Sequence, residues 1–545
     1  MKRFLSILCG TLLFLLPSCG GGGSGTIDEP INKPQPNVPT NIPLESISFA
    51  QSTYEVNVGS TITLNAVLSP SNTTYTSVTW ESSDPHLGKI EVRTTGQVVA
   101  LAPGTVTITA SCAGKSATCQ LVIKDIAEDL SFYDIHFAKQ ATMNTANCYV
   151  VSKPGVYKIP LVYGNAIKNG ATNRGAYVAP FSSNSGFLEK FKDHSDKEIY
   201  TGDDDKDPWV SCKYPINKSL IIWQDSQDLI TNLSYGGAEN ALEKKYLYFT
   251  VKENNFNQGN AVLAVYSGSE IVWSWHIWVT NVNLTPVTIK NYEGKSYSVM
   301  PVYLGWCEPK SSASKNGGTY GNIPYYQFGR KDPLLPSDGE LRLRADQDVN
   351  KKYYTSSGSP GFKNLQYNYG KGDNFFQALC IQNPGALITN YKGNYCNLWN
   401  MEQTYDDRNY ISVISSDKVS KTVYDPTPAG YTVAPYNFLT SVSPTGQNIL
   451  VLNYEISEWN IMGGLDKGVH LYTLGYKTGP TYYLRAMGNR DQYGVNGFGG
   501  SIYVWCAHST YTNGGVCVTI DSYACHPMGG NTQDSAFGII PVKEK

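Results

Sequence analysis

The residues able to do chemistry are few and scattered. Thr201-Gly202-Asp203-Asp204-Asp205-Lys206-Asp207 sets aspartates at alternate positions, a spacing that can present oxygens to calcium. It lacks the later bidentate glutamate of an EF-hand, since Trp209 and Val210 follow, and Lys206 opposes a cation. A solvated acidic loop is the expected outcome, and no metal or cofactor is expected. Trp306, Trp399 and Trp505 are candidates for stacking on sugar rings, although Trp505 lies in a strand-like run that favours a core position. Arg490-Asp491 reads mainly as an ion pair or turn contact, with ligand binding the minor reading. No nucleophile elbow, HExxH, P-loop or GxGxxG stands in a strand-to-helix context, so no catalytic residue is assigned. Carboxylates are plentiful, but nothing pairs two of them as a glycosidase acid and base.

Charge and cysteine usage narrow the class. The net charge of −2 and the 16% charged residues leave no basic surplus for a phosphate backbone, which excludes nucleic acid as an expected partner. Lys2 and Arg3 precede an apolar run from Phe4 to Leu16, the length of a signal-peptide core and too short to span a membrane. It ends in Leu16-Pro17-Ser18-Cys19, which resembles the bacterial lipobox. That resemblance implies lipidation at Cys19, with several acyl chains giving a stable membrane anchor. Ten cysteines follow, from Cys112 to Cys525, and an even count in an exported chain favours disulfides. Cys112 and Cys119 flank a hairpin turn and are one candidate pair; Cys506 and Cys517 are also candidates. The histidines are scattered and no CxxC occurs, so no zinc site is expected.

At 545 residues the chain needs more than one core. Its 39 tyrosines and 51 glycines suit strands and tight turns. The expected organisation is a leader over 1–19, a flexible Gly- and Pro-rich linker over 20–43, and domains at 44–125, 126–290 and 291–545. In the first domain Val106, Ile108 and Ala110 alternate with Thr105, Thr107 and Thr109, as in a half-buried strand. Ile62, Leu64, Ala66 and Leu68 alternate likewise, and Ala113-Gly114-Lys115 is a turn signal. Tyr54 to Gly59, Val78 to Pro85 and Gly96 to Ala110 resemble the bacterial Ig-like group 2 family, which implies a β-sandwich with Trp80 in its core.

In 126–290, Ser267-Gly268-Ser269 separates two apolar runs, with Gly268 free to take a positive φ. The run Ile271 to Val279 puts Trp273, Trp275 and Ile277 on one face and His276 and Trp278 on the other, the pattern of a strand covered on two sides. Asn147 to Val151, Pro160 to Gly170 and Trp273 to Thr280 resemble segments of fimbrillin-related surface lipoproteins of Bacteroidetes, implying a non-catalytic β-sandwich.

In 291–545, Asp373-Asn374 is placed to cap a short helix carrying Phe375, Phe376, Leu379 and Cys380 and stopped near Pro384. Tyr326 to Pro333, Val423 to Tyr431, Gly488 to Asp491, Tyr503 to Trp505 and Gly538 to Val542 resemble the Fibrobacter succinogenes major paralogous domain. That implies an α+β, C-type lectin-like fold. Thr427 stands where the family usually carries cysteine, and Val433-Ala434 where proline is frequent, which puts one family disulfide in doubt.

Taken together the resemblances imply a mainly β, multidomain, non-enzymatic adhesin or fimbrial tip or accessory subunit. Its expected setting is the outer membrane, lipid-anchored and facing the exterior. Its expected partners are the membrane through the anchor, other fimbrial subunits, and a host glycan or surface protein. A glycan-binding lipoprotein of a polysaccharide-uptake system is the alternative, and a cryptic glycoside hydrolase ranks third.

Overall fold

The computed structural model describes residues 41–180, 187–237, 242–253, 258–307, 323–336, 353–357, 360–361, 366–368, 376–390, 395–403, 416–451, 453–463, 467–511 and 514–545. The leader, Cys19, most of the linker and the Asp373-Asn374 cap lie outside these residues. The described chain is mainly β, and none of its described helices is long and apolar enough to cross a membrane.

The first domain is a β-sandwich. Thr53–Asn57, Lys115–Lys124, Gly104–Cys112 and Thr79–Ser82 lie side by side in that order, and Thr61–Thr63, Gln97–Ala100 and Gly88–Val92 form a second sheet. Val106, Ile108, Ala110 and Cys112 are buried while the threonines between them are not, as the alternation requires. Trp80 is buried with its ring 5.8 Å from that of Phe49. Gly96, at φ +68°, passes so close to Trp80 that an added Cβ would lie 2.7 Å from the indole. The turn expected at 113–115 is there: Cys112 pairs with Lys115 across Ala113 and Gly114, both at positive φ.

That same register removes a candidate disulfide. Cys119 faces Ile108, so it stands four residues along its strand from the partner of Cys112. At about 3.3 Å per residue the two are ~13 Å apart, beyond the ~7 Å reach of a disulfide. Cys506 and Cys517 fail for a different reason. Cys517 pairs with Trp505 and shares its face, so Cys506 points to the opposite side of the sheet. Each thiol packs into a different core. Cys112, Cys119, Cys506 and Cys517 are free thiols, buried as small hydrophobes.

The sandwich rests on the next region through Asp125, which pairs with Lys158 at 2.6 Å and accepts from the Tyr248 hydroxyl at 3.1 Å. The His86 and Tyr235 rings meet 4.8 Å apart at the same contact. Beyond it, Glu128–Asp129, Gly155–Pro160, Tyr246–Val251 and Thr231–Gly236 make a four-stranded sheet. Facing the core from the other side is a six-stranded sheet ordered Cys148–Val151, Glu270–Val279, Gly259–Ser267, Lys218–Gln224, Tyr353–Tyr354 and Pro360–Gly361. Gly268 turns the Gly259–Ser267 to Glu270–Val279 hairpin at φ +62°, as anticipated. Glu270–Val279 is buried at every residue after Glu270, on both faces.

The division expected at residue 290 is not a division of packing. The last two strands of that six-stranded sheet come from beyond it. Trp399, Val423, Tyr424, Trp505 and Phe537 lie in the same apolar cluster as Trp273 and Trp275. Buried polar groups tie the seam. Asn147 Nδ2 donates to the carbonyls of Val423 (2.7 Å) and Asp425 (2.8 Å), while its Oδ1 accepts from Trp273 Nε1 at 3.2 Å. Lys331 donates to the Ser274 carbonyl at 2.8 Å and pairs with Asp332 at 2.7 Å. His276 sits between Asn260 Oδ1 (2.8 Å) and the Tyr326 hydroxyl (3.2 Å).

The remaining strands of 291–545 surround a second core. Its largest sheet runs Ile449–Leu450, Ala524–Thr532, Gly514–Ile520, Ile502–Tyr511, Ala536–Ile539, Asn489–Asp491 and Gly494–Asn496. A four-stranded sheet ordered Val287–Lys290, Ser296–Val299, Pro541–Lys543 and Tyr431–Val433 returns the chain's last strand to the start of the region. The expected short helix spans Phe376–Gln382 and lies against the Glu270–Val279 strand; Phe376, Leu379 and Cys380 are buried, Phe376 and Cys380 in a small cluster with Ile388.

Burial pushes the His276 imidazole down to about 3, so it stays neutral in the fold. The unfolded chain takes up that proton near pH 6.5, so acidification from pH 7 to 5 favours unfolding, by about 2 kcal/mol for this residue. His276→Gln, less stable at pH 7, should show a pH slope of stability shallower by that amount in chemical denaturation. An unchanged slope would mean His276 is solvated.

Candidate ligand-binding cleft

Two of the three candidate sugar-stacking tryptophans are not available to a sugar. Trp399 and Trp505 are fully buried. The Trp399 indole donates to the Arg330 and Tyr424 carbonyls at 3.2 and 3.1 Å. Trp505 donates to the Tyr326 carbonyl at 2.8 Å and stacks on Phe537 with centroids 4.1 Å apart. Both rings are therefore core, and the strand reading of Trp505 holds. Trp306 is partly buried between the two cores, beneath the Arg485 guanidinium at 5.8 Å. Arg490 is buried over the Tyr325 ring at 5.3 Å, which removes it as a ligand contact and supports its structural reading.

The acidic loop is internally committed. Asp207 is buried and accepts from the Thr201 and Gly202 amides at 2.7 and 3.0 Å. Asp203 caps the amides of Asp205 and Lys206. Asp204 pairs with Arg174 and Asp205 with Lys244, at 2.5 and 2.6 Å. These carboxylates point to separate partners rather than to one centre. No cluster of three or more metal-ligating side chains occurs among the described residues.

What the fold does build is a cleft of about 460 Å³ that continues into a second lobe of about 280 Å³. One wall is the four-stranded sheet, through Lys295, Tyr297, Thr432 and Val542 and the closing Lys543-Glu544-Lys545. Other walls come from 417–421 and from the turn region around Asn165 and Lys168, so both sides of residue 290 contribute. Six lysines line it, Lys168, Lys295, Lys418, Lys421, Lys543 and Lys545, against two side-chain carboxylates, Asp417 and Glu544.

The charges are arranged in tiers. Lys421 forms the buried floor, donating to the carbonyls of Thr427 (2.8 Å), Pro428 (2.8 Å) and Tyr431 (2.9 Å). Burial lowers its pKa, opposed by Asp425 at 3.8 Å, and burial raises that of Asp425. Asp417 is held by Lys295 and by the Tyr297 hydroxyl at 2.5 Å. Burial pushes its carboxyl up, but those two hydrogen bonds together with the charges of Lys295 and Lys545 outweigh it and hold the group below its ordinary value. Glu544 pairs with Lys168, and Lys418 with Glu402 at 2.8 Å. Lys543 and Lys545 are exposed at the rim, and Lys545 lies 5.2 Å over the Tyr297 ring. Asn165 is buried, donates to the Lys421 carbonyl at 3.1 Å, and leaves its Oδ1 without a hydrogen-bond partner. Sequence reading missed this cleft because its lysines come from four distant segments with no shared spacing.

Residues 43–119 match the bacterial Ig-like domain (group 2). A search of curated proteins found no match. Among solved structures, domains 4–9 of surface layer protein SbsC align at 13% identity over 46% of this chain and 33% of that one, with a TM-score of 0.14. The titin I-band fragment I67–I69 aligns at 9% identity over 44% and 66%, TM-score 0.12. The endo-fucoidan hydrolase MfFcnA4 of glycoside hydrolase family 107 aligns at 6% identity over 43% and 28%, TM-score 0.13. The chain spans about a third of the SbsC fragment, and superpositions this loose carry no argument about fold or activity.

If Trp505 is core, Trp505→Ala should cost about 3–5 kcal/mol in denaturant unfolding. Ligand binding by the molecules that remain folded should be unchanged. A variant of wild-type stability that had lost binding would return Trp505 to the ligand site.

Proposed function

We propose that the protein is a non-enzymatic cell-surface adhesin, anchored through lipidated Cys19, that holds its ligand in the lysine-lined cleft. The observation that carries this reading is the cleft itself. It offers fixed ammonium groups, and each of its two side-chain carboxylates is tied to a lysine, an arrangement suited to holding a ligand rather than to exchanging protons. The Ig-like domain fits a spacer between anchor and binding region, and its contact at Asp125 ties it to the region that follows.

Within this reading, 126–290 is a fimbrillin-like β-sandwich and 291–545 a C-type lectin-like region, on the segment resemblances given above. Membership of a Bacteroidetes surface assembly, with other fimbrial subunits and a host glycan or surface protein as partners, follows from the same segments. A second reading, glycan capture for a polysaccharide-uptake system in the outer membrane, draws on the same cleft.

The test uses cells displaying the whole chain. Cys19→Ala should abolish incorporation of a fatty-acid probe, release the protein from the membrane fraction and reduce attachment of the cells to a host-cell layer. Unchanged labelling would overturn the anchor. Normal surface display without any difference in attachment from cells lacking the protein would overturn the adhesin reading.

A further inference from the structure

Resting on the cleft reading, we propose that the ligand is an anionic saccharide, a sugar carrying carboxylate or sulfate groups. Three observations converge. The first is charge. A chain of net charge −2 concentrates six lysines around one cavity, with two side-chain carboxylates among them. Four of the six are matched by a carboxylate, Lys168 by Glu544, Lys295 by Asp417, Lys418 by Glu402 and Lys421 by Asp425, so the surplus that draws an anion lies at the rim. Lys543 and Lys545, at the rim, make no ion pair with a side-chain carboxylate among the described residues.

The second is the orphan acceptor. Asn165 is 6% exposed, lines both lobes, and its Oδ1 has no donor. That oxygen is closed to solvent here, so a small shift of Asn165 must bring it to the cleft; an unmatched buried acceptor costs ~1–3 kcal/mol, which a ligand that donates recovers. A simple anion such as sulfate has no proton to give it. A sugar hydroxyl donates to Asn165 while the acidic group of the same molecule accepts from lysine.

The third is the lack of a stacking platform. Tyr297 is the aromatic residue of the lining, and its hydroxyl is already committed to Asp417 and to Asn437 at 2.8 Å. Of the tryptophans that would stack a neutral sugar, Trp399 and Trp505 are in the core, and the partly buried Trp306 is not part of the lining. Recognition therefore runs through ammonium groups and hydrogen bonds, and the main lobe, about 460 Å³, is within the size range of small-molecule sites. Binding by charge is salt-sensitive, unlike the aromatic stacking that the sequence favoured.

The experiment is calorimetric titration of the whole chain with four probes. These are a hyaluronan oligosaccharide (carboxylate only), a chondroitin sulfate oligosaccharide (carboxylate and sulfate), a neutral cello-oligosaccharide and inorganic sulfate. One or both acidic oligosaccharides should bind, and their ranking reports whether carboxylate or sulfate is preferred. The neutral sugar and inorganic sulfate should not bind. Affinity should fall about tenfold or more in Lys543→Ala/Lys545→Ala, an exposed rim variant that leaves the fold intact, and should fall again at raised sodium chloride. Neutral-sugar binding that survives the rim variant would overturn the anionic class and leave the adhesin reading standing. Binding of the acidic sugars undiminished in the rim variant would place them elsewhere on the surface. Sulfate binding as tight as the sugars would overturn the role given to Asn165. No binding to any probe, in a protein that still attaches cells, would overturn the saccharide proposal alone.

Discussion

The burial of Glu270–Val279 from both sides is the constraint on which the rest depends. A strand carrying three tryptophans and a histidine with no solvated face cannot stand on one sheet of its own sandwich. One face packs into the core of the 126–290 region. The other needs cover, and the helix Phe376–Gln382, Tyr326 and the Lys331–Asp332 pair supply it. The polar atoms on the covered face, Ser274 and His276, then need partners, because an unmatched buried group is costly. Those partners come from Asn260 on the neighbouring strand and from Tyr326, Lys331 and Asp332 beyond residue 290.

The cleft follows from that fusion. Its walls are drawn from 165–175 on one side of residue 290 and from the Ser296–Val299, Pro541–Lys543 and Tyr431–Val433 sheet on the other. Asn147 bonds the carbonyls of Val423 and Asp425, and Asn165 bonds that of Lys421, so the segment carrying the floor lysine is held from across the seam. A rigid seam fixes the spacing of the lysines, which is what selectivity among charged ligands requires.

The local readings that transferred were those set by period and turn chemistry. The Val106, Ile108 and Ala110 alternation, the Ala113-Gly114 and Gly268 turns, Trp80 in its core and the helix near Phe376 all depend on neighbours in sequence. The two-sided burial of the Trp273 strand was also legible from its aromatic content. What covers it was not, because the covering residues lie tens of positions further on. Cysteine parity pointed to disulfides, but register decides pairing: a four-residue offset separates Cys112 from Cys119, and the pleat separates Cys506 from Cys517. Trp399 and Arg490 were offered to a ligand because polarity and aromaticity do not report depth. The cleft was invisible for the converse reason, since single lysines spread over some 380 residues carry no local pattern.

Hydrogen exchange of the whole chain under rising denaturant tests the central claim, that the regions on either side of residue 290 form one body. Amides of Glu270–Val279 and of Ile502–Tyr511, which pack into the shared core, should be released with the same free energy and the same denaturant dependence. Exchange of the first strand at clearly lower denaturant than the second, with the second still protected, would show two independent domains and contradict the account.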